Sequence, residues 1–468
     1  MLDFRGLIAT LESRGELQRI RKRVEPRFEL PALMQQVDRQ RRGFIFDNVA
    51  GARFPLVGGL LNRWECYGWA LGAVPGEPFT AADFARILEA AQARHIAPTV
   101  VSDAIAQEHL LQGDAIDLAH LPVPTAFEFD SGPFITGACG ISRNPATGRL
   151  NVGIYRTQVL GRNTLTISAN ASSDLRLFYQ HAERLDQPMP VTLAIGVDPA
   201  LLMAAVCKLP TDQSEFELAG ALLGKPIALV KCKTNDLLVP ANAEIVIECL
   251  VDCRQKVVNT LGEFAGQYGT DTAPVAQVTA ITHRRDAMFY SILAGRNPEH
   301  NTLGSIAGLS FRRALEQALR QQLPGIKDLH VYFSAALGAM SHIVISIAKR
   351  SDSEPMELID AAFKVKLTIA GIEMPVARIT KRIIVVDEDT NVHDLGDVEC
   401  AQWTRVAAAS KFRVLPDVPS WDLEHCAKPG SGSLRIAIDA TSDMVDRERL
   451  RQTLIPGAAN IELSSYID

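Results

Sequence analysis

Four residues stand out by type and setting in this 468-residue chain: Asn151 and Arg156 in NVGIYRTQVLGRN, Glu215 in DQSEFELAG, and Glu263 in TLGEFAGQYG. An amide oxygen and a carboxylate are hard donors suited to a divalent cation. A guanidinium offers a planar fork that holds a carboxylate in fixed geometry. A carboxylate in a glycine-containing turn can reach a ligand and move a proton. Each residue also has an ordinary account. Glu215 follows Ser214 at a helix entrance, where a carboxylate complements the helix dipole. Arg156 suits a snorkelling strand residue, Asn151 a turn residue after the hairpin loop RNPATGRL, and Glu263 a surface loop. Residue type alone leaves both accounts open.

The elements that position these residues follow from periodicity. The segment around Asn151 alternates apolar and polar residues like a half-buried strand. Positions 151 and 156 are an odd number of residues apart, so strict alternation sends their side chains to opposite faces. If both serve one site the strand must bulge or twist, and Gly153 is the expected place. From Ile135 to Leu293 the alternating segments ITGACGISR, LNVGIYRTQV, VTLAIGV, PIALVKCK, AEIVIECLV and APVAQVTAITH are separated by Gly, Asn and Pro. Few helices intervene, at SSDLRLFYQHAERL and EFELAGALL, which predicts a mainly antiparallel barrel or sandwich.

Before this region lie a leading amphipathic helix, a second helix at ELPALMQQVDRQ, a strand GFIFDNV and a helix opened by Thr80. After it, the amphipathic helix SIAGLSFRRALEQALRQQL leads to strands DLHVYFSAA, SHIVISIAK and RIIVVDED, interleaved with helices SEPMELIDAAFKVKLTIAG and DVECAQWTRVAAA. The expected organisation is an N-terminal α/β region at 1–115, a central β-barrel domain at 116–305, a linker helix at 306–325 and a C-terminal α/β domain at 326–468.

Composition narrows the function. The chain is 47% hydrophobic and 22% charged with a net charge of -6, which argues for a globular protein and against a broad nucleic-acid surface. The opening residues carry Asp3, Arg5 and Glu12 and read as a helix rather than a signal peptide. No segment has the 18 or so uncharged residues of a membrane span, so the expected location is cytoplasmic. Eight cysteines are too few for a disulfide scaffold, and Cys249 and Cys253 read as ordinary buried thiols. Dinucleotide-binding, Walker-A, serine-hydrolase and zincin motifs are absent.

Taken together and in order, NVGIYRTQVLGRN, SEFELAGALLGKPIALVKCKTNDLLVPANAEIVIE, LGEFAGQYG, ITKRIIVVDED and SLRIAIDAT resemble the UbiD-type decarboxylase family, over most of the chain. The resemblance implies a small N-terminal α/β region, a central split β-barrel like that of flavin reductases, and a C-terminal α/β oligomerisation domain. It implies reversible, non-oxidative decarboxylation of aromatic or α,β-unsaturated acids with prenylated FMN, a divalent metal such as Mn2+, and K+ as a further ion. Asn151 and Glu215 then fall on metal-ligand positions, with Ile154, Tyr155 and Arg156 lining the cofactor and Lys381 as a further cofactor contact. Arg156 and Glu263 fall on the catalytic positions, Arg156 holding a carboxylate and Glu263 returning a proton to carbon. A flavin prenyltransferase would supply the cofactor, and a homodimer or homohexamer is the expected assembly.

Two positions depart from what the resemblance implies. A second acidic residue is expected five before Glu263, where this chain has Val258. A His ligand is expected about twenty residues after Asn151, where TISANASSDL offers Ser172, Ser173 and Asp174. Three readings follow: an active enzyme in which Asp174 or water replaces the His; a subunit of a multi-component phenolic carboxylase resembling phenylphosphate carboxylase; and a non-catalytic subunit.

Overall fold

The computed structural model describes residues 1–170, 173–209, 213–263, 265–333, 341–369, 372–420 and 432–453, together with 424, 426, 427, 455, 456 and 466. Its centre is a curled sheet with strand order Phe134–Ile135, Thr157–Val159, Thr164–Ile167, Tyr268–His283, Ile245–Gly262, Met189–Ile195, Ala138–Arg143 and Leu150–Ile154, with His109–Leu111 added to the side of Tyr268–His283. Neighbouring strands run antiparallel. The last strand of this order, Leu150–Ile154, and the second, Thr157–Val159, are consecutive in sequence and joined by Tyr155 and Arg156 alone. Three residue steps span at most about 11 Å. The two ends of the sheet must therefore curl together, and Tyr155–Arg156 bridges the seam of the split barrel.

The bulge expected at Gly153 does not occur. Pairing between Ala138–Arg143 and Leu150–Ile154 runs without a register shift, with Gly140 opposite Gly153. The strand instead ends at Ile154, and the break at 155–156 frees Arg156 from the alternation that governs Asn151. Gly153 has a different task. A Cβ there would lie 2.5 Å from the Tyr155 hydroxyl oxygen, and one on Gly140 would lie 2.5 Å from the Tyr155 ring, so the facing glycines make a flat bed for that ring.

An N-terminal unit packs helices Phe4–Ser13, Glu29–Arg39, Trp64–Ala70 and Ala81–Gln92 around a four-stranded sheet. Thr80 caps the last of these in a reciprocal pair with Asp83, as its sequence predicts. That sheet's fourth strand, Phe289–Tyr290, arrives after the barrel is complete, so the two units share a core. The segment PIALVKCK is not a barrel strand: Ala228–Lys231 pairs with Thr99–Val101 and Leu238–Pro240 in a separate sheet.

Helix Pro298–Gln322, about 37 Å long at 1.5 Å per residue, leads into the C-terminal unit. There a five-stranded sheet, ordered Ile326–Phe333, Ser341–Ile347, Thr380–Asp387, Ser433–Ala440 and Phe412–Val418, has apolar cores on both faces. The expected long helix SEPMELIDAAFKVKLTIAG is shorter than its pattern suggests. It ends at Ala362, and Lys366–Ile369 forms a strand paired with Ile372–Pro375, since alternation in KLTI suits a pleated surface better than a helix face. No helix among the described residues is long and apolar enough to cross a membrane.

The first turn of Pro298–Gln322 buries a carboxylate. Glu299 accepts hydrogen bonds from the Gly59 and Leu61 amides at 2.7 and 2.9 Å and from the Tyr290 hydroxyl at 2.9 Å, while its own amide donates to Asp38. Burial raises the proton affinity of Asp38 and Glu299 above that of free carboxyls, and the Asp38 charge adds to the effect at Glu299. The folded protein thus binds more protons than the unfolded chain, and the stability from this pair, full below about pH 4, is lost as the pH rises through about 6 to 7. The thermal midpoint is expected to fall by several degrees between pH 5 and 8. Glu299→Gln is expected to flatten that slope in scanning fluorimetry; an undiminished slope would refute the assignment.

Candidate active site

Two groups of polar side chains flank the seam. The first is built on the edge strand Leu150–Ile154, which has no second neighbouring strand among the described residues. Glu215, first residue of helix Glu215–Leu223 with Ser214 as N-cap, accepts the Val152 amide at 3.0 Å. Asn151 donates its amide nitrogen to the Tyr155 hydroxyl at 3.0 Å, which leaves its carbonyl oxygen for another ligand. Burial pushes Glu215 up to about 7, with Asp174 adding to the effect and Lys208 opposing it. Asp174, first residue of the helix capped by Ser173, is likewise raised by burial. Lys208 is shifted in the opposite sense, lowered by burial despite the pull of Asp174 and Glu215.

Desolvation disfavours the charged form of Glu215, Asp174 and Lys208 alike, most strongly at the buried Glu215. A cation would relieve the acids and an anion the lysine, so the donor set fits a metal ion paired with a phosphate. Among the described residues no group of three or more His, Cys, Asp or Glu is placed to hold a metal ion. Asp174 stands where the sequence has no His; Ser172 lies outside the described residues.

The second group is centred on Arg156. One guanidinium nitrogen donates to Glu263, the other to Asp271 at 2.8 Å and to Asn170 at 3.4 Å. Glu263 is 8% exposed, at the end of strand Ile245–Gly262 where the hairpin turns. Gly266, with φ of +89°, makes the turn, and Gly269 leaves room for the Glu263 side chain, since a Cβ there would lie 2.7 Å from its Cγ. Behind the hairpin tip, Phe127 packs on Gly262 while Asp130 accepts the Gly262 and Phe127 amides.

Sequence reasoning thus named Asn151, Tyr155, Arg156, Glu215 and Glu263, and the structure brings Asn151 and Glu215 to one side of the seam and Arg156 and Glu263 to the other. Ile154 lies on the connecting strand end, partly buried. Lys381 lies in strand Thr380–Asp387 of the C-terminal unit, where its ammonium meets Glu424 and Ser433, not the barrel residues above. Asp271 and Lys208 were missed. Asp271 carries no local signal, and Lys208 in CKLP reads as a solvated lysine.

Three family models match in order: the N-terminal domain of 3-octaprenyl-4-hydroxybenzoate carboxy-lyase at residues 8–82, its Rift-related domain at 99–297 and its C-terminal domain at 305–440. The UbiD-class enzyme HmfF from Pelotomaculum thermopropionicum, solved with FMN, is 34% identical over the full length of both chains with a TM-score of 0.82. The chain belongs to the UbiD family. An evolved dimeric form of HmfF with prFMN is 33% identical, covering 99% of this chain and all of that one, TM-score 0.78. An uncharacterized protein of Synechocystis sp. is 29% identical, covering 94% of this chain and 89% of its own. This UbiD protein is therefore a carboxy-lyase by family, with the mixed α/β architecture and curled central barrel of that fold. FMN and prFMN occupy the related HmfF structures.

Proposed function

We propose that this UbiD protein is a reversible, non-oxidative decarboxylase of an aromatic or α,β-unsaturated carboxylic acid, using prenylated FMN and a divalent metal. The observation that carries the proposal is the Arg156–Glu263 pair at the barrel seam, beside the polar set of Asn151, Asp174, Lys208 and Glu215. When bound, the prenylated flavin supplies an electron-poor centre that accepts the electron pair released with carbon dioxide. Asn151 and Glu215 would hold a divalent metal, with Asp174 as a nearby carboxylate and Lys208 as a positive charge for the cofactor phosphate. Arg156 orients the substrate carboxylate through its planar fork, and Glu263 delivers a proton to the carbon that loses it. Burial of Asn151, Glu215 and Glu263 keeps water from these three side chains, which strengthens the polar contacts they make.

The protein is expected to assemble as a homo-oligomer. Support comes from the C-terminal sheet, whose edge strand Phe412–Val418 leaves Phe412 and Val414 exposed on an edge that no other strand among the described residues pairs.

The test is production beside a flavin prenyltransferase with manganese and potassium supplied, followed by an absorbance spectrum and denatured mass spectrum. Prenylated FMN in the preparation, with release of carbon dioxide from a panel of aromatic acids, is the expected result. A preparation without flavin, when HmfF handled in parallel has filled, would sink the self-sufficient enzyme. The protein would then be a partner-dependent carboxylase component or a non-catalytic subunit.

A further inference from the structure

We propose that Asp271 is the second carboxylate of the Arg156–Glu263 network and acts as a positioning residue for proton delivery, an inference that rests on the decarboxylase reading above. The resemblance places a second acid five residues before Glu263, at Val258. An odd separation along a strand puts that position on the opposite face, and Val258 is 60% exposed. The inward face of this hairpin is formed by Asn259 and Leu261 on one arm and by Gly269, Asp271 and Ala273 on the other. Asp271 sits directly across from Asn259 in the ladder.

Both oxygens of Asp271 are engaged. One accepts from Arg156 at 2.8 Å and the other meets the Ser168 hydroxyl at 3.4 Å. Ser168 is fixed in turn: its amide donates to the Arg156 carbonyl at 2.9 Å, and its hydroxyl accepts from Asn259 at 3.1 Å. Arg156 is thereby bound from two arms of one hairpin, with one positive charge shared between two carboxylates. Each of the two carboxylates takes a separate guanidinium nitrogen, so together they fix the plane of the fork against which Glu263 is set. Other charged groups packed against the hairpin tip are Asp130, behind Gly262, and Arg296, against Gly266; His300 reaches the Gly295 carbonyl on the same side.

Without Asp271, Arg156 would keep Glu263 and Asn170 as partners. The guanidinium would no longer be held in the plane that sets Glu263 for proton delivery, while it would become a better partner for an external carboxylate. Turnover and binding are thus expected to move in opposite directions, which loss of a merely structural contact would not produce.

The experiment compares flavin-loaded parent, Asp271→Asn and Asp271→Glu proteins. Asp271→Asn is expected to lower kcat at least 100-fold on an acid the parent turns over, and to tighten benzoate binding at least threefold by calorimetry. Asp271→Glu, which keeps the charge, is expected to hold kcat within tenfold of the parent. A kcat for Asp271→Asn within threefold of the parent, weaker benzoate binding, or a glutamate variant as poor as the asparagine one would each overturn the proposal. If Asp271→Asn does not fold, Asp271→Glu decides by the same tenfold criterion. Recovery of turnover in Asp271→Asn/Val258→Glu would place the second acid at 258 and overturn it as well. Should the parent decarboxylate no acid, the decarboxylase reading fails, yet equal benzoate affinity in parent and Asp271→Asn still counts against the role of Asp271.

Discussion

Glu263→Gln is expected to lower turnover by about 10²–10⁴-fold, the usual contribution of a positioned proton donor, while the protein keeps its fold and its flavin. The substitution preserves volume, and the amide oxygen still accepts from Arg156, so the hairpin turn and the bed provided by Gly269 are undisturbed. What it removes is the transferable proton. Loss of carbon dioxide release is one readout. The other is exchange of the product's ring or vinyl hydrogen with deuterium oxide, the same proton transfer run without net reaction. A variant that retains most of both activities would remove Glu263 from the mechanism. Flavin content separates this result from a folding defect, because the residues proposed to hold the metal and cofactor phosphate lie on other elements, Leu150–Ile154 and Glu215–Leu223.

Glu215→Gln is expected to act on the other side of that seam, reducing flavin retained after desalting by at least about tenfold in the presence of manganese, as loss of a charged ligand does. The Gln carbonyl can still accept the Val152 amide, so the edge strand stays anchored and the helix stays capped by Ser214. The negative charge is gone, and with it the attraction for a cation that the buried carboxylate provides. Lys208 then faces one acid fewer. Retention equal to that of the parent would show that the metal is held without Glu215. A defect cured by excess manganese would identify weakened metal binding rather than a damaged pocket.

Legibility differed from residue to residue for physical reasons. Thr80 and Ser214 were readable because a cap is a contact between residues two or three apart, and a short stretch of chain contains both partners. The barrel strands were readable because alternation records which side of each strand is buried. Gly153 was misread: a glycine in a strand marks either a bulge or a close approach, and its neighbours along the chain do not distinguish the two. Tyr155 decides the matter by lying across the Gly140–Gly153 pair. Asp271 was invisible because it is 115 residues from Arg156, and its pairing depends on the hairpin register that sets it opposite Asn259.

The sequence by itself determined most of the segments that become strands and helices, where several of the helices start, and which residue types capable of metal ligation, carboxylate binding and proton transfer lie on them. These are short-range matters of burial period, capping and backbone freedom. The tertiary structure alone decided that two ends of one sheet meet at Tyr155–Arg156, that the break there sets Asn151 and Arg156 to separate tasks, and that Asp271 and Lys208 join them. Curling of a twisted sheet and the register of a long hairpin depend on packing between residues far apart in the chain, and no local pattern encodes which charges that packing will place side by side.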